Sequence, residues 1–219
     1  MSNPESFIDE VTEEVRRDRL FAIFRRYGWI GIVLVLLTVG GAAYSEWTKA
    51  QQKADAQAFG DAVLAALDAD APAARRAALE AVSASGEQMA ILQLLLSSDP
   101  VENRDASVAA LDKVIADTAT LPIYRDLASL RRVILAGDTL SIADRRTALE
   151  GIAVPGRAFR TLALEQLAYL DIEEGNPEAA ITALKALSQD QEAPTGLRQR
   201  ASQMIVALGG TLDEPANAG

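Results

Sequence analysis

The 219-residue chain is 49% hydrophobic, 24% charged and 5% aromatic, with a formal net charge of −10. That acidity argues against a basic face able to release counterions from nucleic-acid phosphates. The absence of cysteine and histidine removes thiolate nucleophiles, disulfides, the usual metal ligands and the commonest general base.

The chain opens on a mixed-charge leading segment. Ile8, Val11, Val15 and Ala22 recur at roughly helical spacing, and Ser6 followed by Asp9 makes a plausible N-cap. This predicts a short helix at a membrane surface or against a partner, or else a solvated lead-in whose arginines only set topology.

From Gly28 to Ser45 there is no charged residue. A helix over Trp29–Trp47 rises about 27 Å, close to the hydrocarbon thickness of a bilayer. Tyr27 and Trp29 rim one end and Tyr44 and Trp47 the other, as expected of rings that prefer headgroup depth. Arg16, Arg17, Arg19, Arg25 and Arg26 precede the span, whereas only Lys49 and Lys53 follow it closely. The excess of cations places the leading segment in the cytoplasm and the bulk of the chain across the membrane. Gly41-Ala42-Ala43 offers small residues where a signal peptidase could cut. The long leading segment, with six acidic residues, is unlike the short basic region of a cleaved signal.

The remainder carries 24 acidic and 16 basic side chains from Thr48 on, a balance of −8. Its informative feature is internal similarity. Ala78-Leu79-Glu80-Ala81-Val82 recurs as Ala110-Leu111-Asp112-Lys113-Val114, as Ala148-Leu149-Glu150-Gly151-Ile152 and as Ala183-Leu184-Lys185-Ala186-Leu187. The four leucines are spaced by 32, 38 and 35 residues. Between them lie further helical stretches: Ile91 to Leu96, Leu127 to Leu135, and Leu164 to Ile172. Breakers separate them at Asp99-Pro100, Gly137-Asp138, Pro155-Gly156, Gly175-Asn176-Pro177 and Pro194. No stretch alternates as a strand does. The expectation is all-α: one N-terminal transmembrane helix, then a tetratricopeptide-like repeat solenoid. The boundaries are a leading segment 1–26, a membrane helix 27–47, a repeat domain 48–209 and a disordered tail 210–219. The first repeat helix, Thr48 to Ala69, continues from the span.

The clearest unit, Thr161 to Pro194, resembles a tetratricopeptide repeat. Ala168 allows close approach of its helices, Gly175-Asn176 makes the turn, and Ala180, Leu184 and Leu187 form the second packing face. Leu164 replaces the family's large aromatic. The last helix, Leu197 to Leu208, is expected to cap the repeats, with Arg198, Arg200 and Gln203 facing solvent.

An acidic leading segment, then RRYGWIGIVLVLL, then a degenerate repeat body resembles the YfgM-like ancillary subunits of the bacterial SecYEG translocon. LPIYRDLASLRRVIL (121–135) and LRQRASQMIVALGG (197–210) resemble the alphaproteobacterial versions. The resemblance implies a single-pass inner-membrane protein with a periplasmic domain. It also implies association with SecYEG and with a membrane-anchored periplasmic prolyl isomerase that handles exported chains.

No nucleotide-binding, zinc or nucleophile–base motif is recognisable. Adjacent carboxylates such as Glu173-Glu174 diverge on a helix. The expectation is therefore no catalytic residue, no metal, no cofactor and no small-molecule substrate; partners would be proteins and the bilayer. Gln93, Arg131 and Tyr169 each precede a turn by six residues and are expected to line the inner face of the repeats, with Tyr124 and Glu165 nearby. Two alternatives are a cell-envelope or cell-division adaptor with the same repeat domain, and an enzyme using carboxylates or serines.

Overall fold

A computed structural model describes residues 4–99 and 103–212, with side chains from residue 25 on. All regular structure among these residues is helical. Pro100, the tail beyond residue 212 and the side chains of the leading segment before residue 25 lie outside the described residues, and the expectations made for them stand there.

Helix α1 (Pro4–Leu67) takes in the leading segment, the apolar span and the first repeat helix without a break. It begins two residues before Ser6, so Ser6 lies inside the helix and is not its N-cap. Its Trp29–Leu67 stretch is long and apolar enough to cross a membrane. Every residue from Trp29 to Tyr44 is exposed, Leu37 to 71%. The one hydroxyl in the middle of the span, on Thr38, donates to the Leu34 and Val35 carbonyls at 3.0 and 2.9 Å. The helix thus satisfies its own polar group, as a spanning helix must.

The chain divides into two compact units, residues 1–58 and 59–219. In the second, the end of α1 is followed by α2 (Pro72–Glu80), α3 (Glu87–Leu96), α4 (Arg104–Ala116), α5 (Pro122–Ala136), α6 (Ile142–Glu150), α7 (Arg160–Glu173), α8 (Pro177–Gln189) and α9 (Thr195–Ala207). From α2 on, each helix packs on the next in chain order, and α3 also meets α5. Local chemistry sets the ends. Pro72, Pro122 and Pro177 sit in first turns, where no N–H is missed. Asn103 and Ser141 accept from the amides of Ala106 and Asp144 as N-caps. Gly175, at φ +79°, closes α7: its N–H bonds the Ile172 carbonyl while Asn176 N–H bonds that of Asp171. This is the left-handed glycine cap that turns one helix back on the last.

The recurring leucines Leu79, Leu111, Leu149 and Leu184 fall on α2, α4, α6 and α8, and all four are buried. Val114 and Leu187, three residues further on, are buried on the same faces, and Ile152 is buried just past the end of α6. Ala168, without side-chain bulk, is fully buried beside Leu184 and Leu187. In the last helix Leu197, Ala201 and Ile205 bury the inner face, and Arg200 and Gln203 are exposed, as anticipated. Arg198, half-buried, and Arg200 also donate hydrogen bonds to the protein.

The burial pattern makes a prediction. Leu149→Ala, which opens a cavity at a fully buried site, should cost about 2–5 kcal/mol in denaturant unfolding. Leu36→Ala, on the exposed span, should leave the unfolding of the helical body within about 0.5 kcal/mol of wild type.

Candidate interaction surfaces

Five arginines on α2, α4 and α6 reach for the ends of the helices that follow. On α2, Arg76 donates to the Leu96 carbonyl at the end of α3, and Arg75 pairs with Asp99 just beyond. On α4, Arg104 donates to the Leu135 and Ala136 carbonyls at the end of α5. On α6, Arg145 pairs with Glu173 and Arg146 with Asp171 and Glu174 at the end of α7. In each case a cation meets the carbonyl end of the next helix, where unpaired C=O groups and the dipole both favour it. The run Arg-Arg-x-Ala-Leu-Glu occurs at 75–80 and 145–150, so these contacts have a sequence signature.

The residues expected to line an inner face occupy different settings. Gln93 on α3 is buried, 8% exposed, with its Nε2 3.4 Å from Met89 Sδ. Arg131 on α5 reaches back to α3, donating to the Leu94 and Ser97 carbonyls at 3.0 and 3.1 Å. Partial burial lowers the pKa of its guanidinium. Glu165 on α7 is also buried, 3% exposed; it accepts two bonds of 2.9 Å from Arg200 on α9 and a third from the Tyr169 hydroxyl. Burial and the Glu165 charge push the Tyr169 hydroxyl up from its ordinary value. Tyr124 is half-buried against the cluster around Leu111 and Ala128.

Gln93, Arg131 and Tyr169 were placed by their distance from the turns at Asp99, Gly137 and Gly175. α3 ends at Leu96, well before Asp99, while α5 ends at Ala136, immediately before Gly137. Each of the three follows a buried residue, Leu92, Leu130 and Ala168. Their depth differs: Gln93, like Glu165, is buried, whereas Arg131 and Tyr169 are half-buried.

At the span, Arg25, Arg26, Tyr27, Trp29, Tyr44 and Trp47 are all exposed. The Arg26 guanidinium carbon lies 5.8 Å from the centre of the Tyr27 ring, within range of a cation–π attraction. The Tyr44 and Trp47 rings are 6.2 Å apart and tilted.

Two clefts open in the first part of the helical body. One, of 260 Å³, is bounded by Leu67, Pro72, Leu79 and Leu95, with Arg75 and Asp99 at its edge. The larger, of 460 Å³, runs between α2, α3 and α4 past Met89, Leu92, Gln93, Ala106 and Ala109. Neither was anticipated; the alanines of α4 spaced three and four apart were its available signature. Compared with family models, curated proteins and solved structures, the chain matches none.

Two outcomes follow. Arg200→Ala strands a buried carboxylate and should destabilise the helical body by about 1–3 kcal/mol. Glu165→Met combined with Arg200→Ala should recover part of that loss in the same denaturant titration, because the stranded charge is gone. The second outcome concerns pH. Arg145 holds the Glu173 carboxyl below its ordinary value, and the Glu192 backbone N–H, with Arg160, does the same for Asp190. Their stabilising contribution is present above the ordinary carboxylate range and is lost as pH falls through the lowered values. The melting temperature should therefore fall on acidification below about pH 4, and Glu173→Gln should flatten that fall.

Proposed function

We propose that the chain is a membrane-anchored interaction scaffold, an ancillary subunit of the bacterial Sec translocon that links it to periplasmic chaperones handling exported proteins. The observation that supports this most is the apolar stretch of α1, exposed along its whole length and followed by a body of helices packed in sequence. Exposed apolar surface of that extent marks a membrane or partner contact. In this reading α1 crosses the inner membrane once with Arg25 and Arg26 on the cytoplasmic side, and the helical body is periplasmic.

The buried leucines at intervals of 32, 38 and 35 residues favour a tetratricopeptide-like solenoid, whose stacked pairs form an extended binding surface. Together with RRYGWIGIVLVLL and the two stretches resembling translocon subunits, this favours SecYEG and an anchored prolyl isomerase as partners. Function then rests on docking. The anchor confines the body beside the complex, and confinement raises effective concentration without adding contacts. No catalytic chemistry is part of the proposal.

The test is cross-linking in intact membranes, followed by purification of the tagged full chain from detergent. Translocon subunits and the prolyl isomerase should be recovered with it, and a chain lacking residues 1–47 should lose most of that recovery. A full chain that purifies alone after cross-linking contradicts the proposal.

A further inference from the structure

The cleft between α2, α3 and α4 has features that ordinary groove walls lack. α4 presents Ala106 and Ala109 toward it, and the lack of bulk there leaves the 460 Å³ space open above Leu92. Met89, 39% exposed, lines the same space. Its unbranched, polarizable side chain adapts to differing apolar shapes. The rim carries two cations, Arg76 and Lys113, and one carboxylate, Glu80. Arg76 is bound to Glu80 and to the Leu96 carbonyl. The cleft thus carries no net negative charge in a body that is strongly acidic overall.

In its wall stands Gln93. The side chain is more than nine-tenths buried; among the described residues its Oε1 meets no donor, and its Nε2 has only the Met89 sulfur. A buried amide so poorly matched costs stability unless something completes its hydrogen bonds. Its terminal torsion is soft and roughly two-fold, so either end of the amide turns toward the cleft at little cost. The complement of an amide is another amide. A helix spends its backbone N–H and C=O groups internally, whereas an extended segment offers both along its length.

We infer that this cleft binds an extended, uncharged, apolar polypeptide segment, whose backbone pairs with the Gln93 amide while its side chains lie against Met89, Leu92 and the alanines of α4. The inference deepens the scaffold reading and rests on it for the source of such segments, chains not yet folded.

The test uses the full-length chain in lipid nanodiscs and a fluorescein-labelled twelve-residue peptide of alternating leucine and threonine. Two control peptides are its analogue with aspartate in place of leucine and an alanine-rich helical peptide. The leucine–threonine peptide should bind and the controls should not. Ala109→Phe, which fills the cleft from an exposed helix position, should weaken binding at least about tenfold. Gln93→Met, which keeps the volume and removes the amide, should weaken it by about fivefold. Helicity and melting should not fall in either variant. Wild-type protein that ignores the peptide, or binds the controls equally, overturns the inference, as does an Ala109→Phe chain that binds like wild type. Because Ala109→Phe leaves the span intact, cross-linking of that variant to translocon subunits reports on the scaffold reading by itself. Recovery of those subunits with peptide binding lost supports the cleft.

Discussion

The structure depends on how one long helix is solvated. From Trp29 to Tyr44 α1 presents apolar side chains on every face and nothing in its own compact unit covers them. In water this surface, at about 25 cal/mol per Å², would be a large standing cost. In a hydrocarbon slab it is the driving force. The helical backbone is hydrogen-bonded within itself, and Thr38 turns its hydroxyl back onto the helix, so nothing polar in the middle of the span is left exposed to lipid. Were that slab a bilayer, Tyr27, Trp29, Tyr44 and Trp47 would fall where rings with one apolar body and one polar edge are best solvated.

The helical body solves a different problem. Its helices are short, and short helices are marginal in water without tertiary support. Burial of one recurring leucine per even-numbered helix supplies part of that support. Further support comes from apolar packing between neighbouring helices and from arginines that meet the C-terminal ends of α3, α5 and α7. This arrangement uses the acidity of the chain. Carboxylates at helix C-termini, such as Glu173 and Glu174, would be unfavourable beside the negative end of the dipole. Pairing with Arg145 and Arg146 turns them into inter-helix ties.

Much of this was legible in the sequence because it rests on periodicity. The span is a run without charge, and the packing faces repeat as Ala-Leu with an apolar residue three further on. The turns sit at Gly137, Gly175 and Pro194, where backbone chemistry allows little else. What could not be read was direction. In one dimension Arg131 and Glu165 look like residues of an inner binding face, and Arg200 like a solvated residue of the capping helix. Only the fold shows that Arg131 returns to the end of α3 and that Arg200 reaches Glu165 from the last helix. The 38-residue spacing of Gln93, Arg131 and Tyr169 sets each beside a buried residue, Leu92, Leu130 and Ala168, but the depth of each side chain could not be read from spacing. The cleft was hidden for the opposite reason. It is made by the smallness of alanines, and an absence of bulk leaves little mark on a hydropathy pattern.

The central claim is that lipid, and not protein or water, surrounds α1 between its aromatic rims. The chain has no cysteine, so single cysteines introduced one at a time from residue 27 to residue 47 and spin-labelled in bilayers report depth without interference. Oxygen accessibility should rise toward the middle of the span, around Leu36 and Leu37, and fall at both rims, with accessibility to a water-soluble nickel chelate showing the reverse. Uniform exposure to the nickel reagent, or a 3.6-residue oscillation with one face shielded from both reagents, would contradict it.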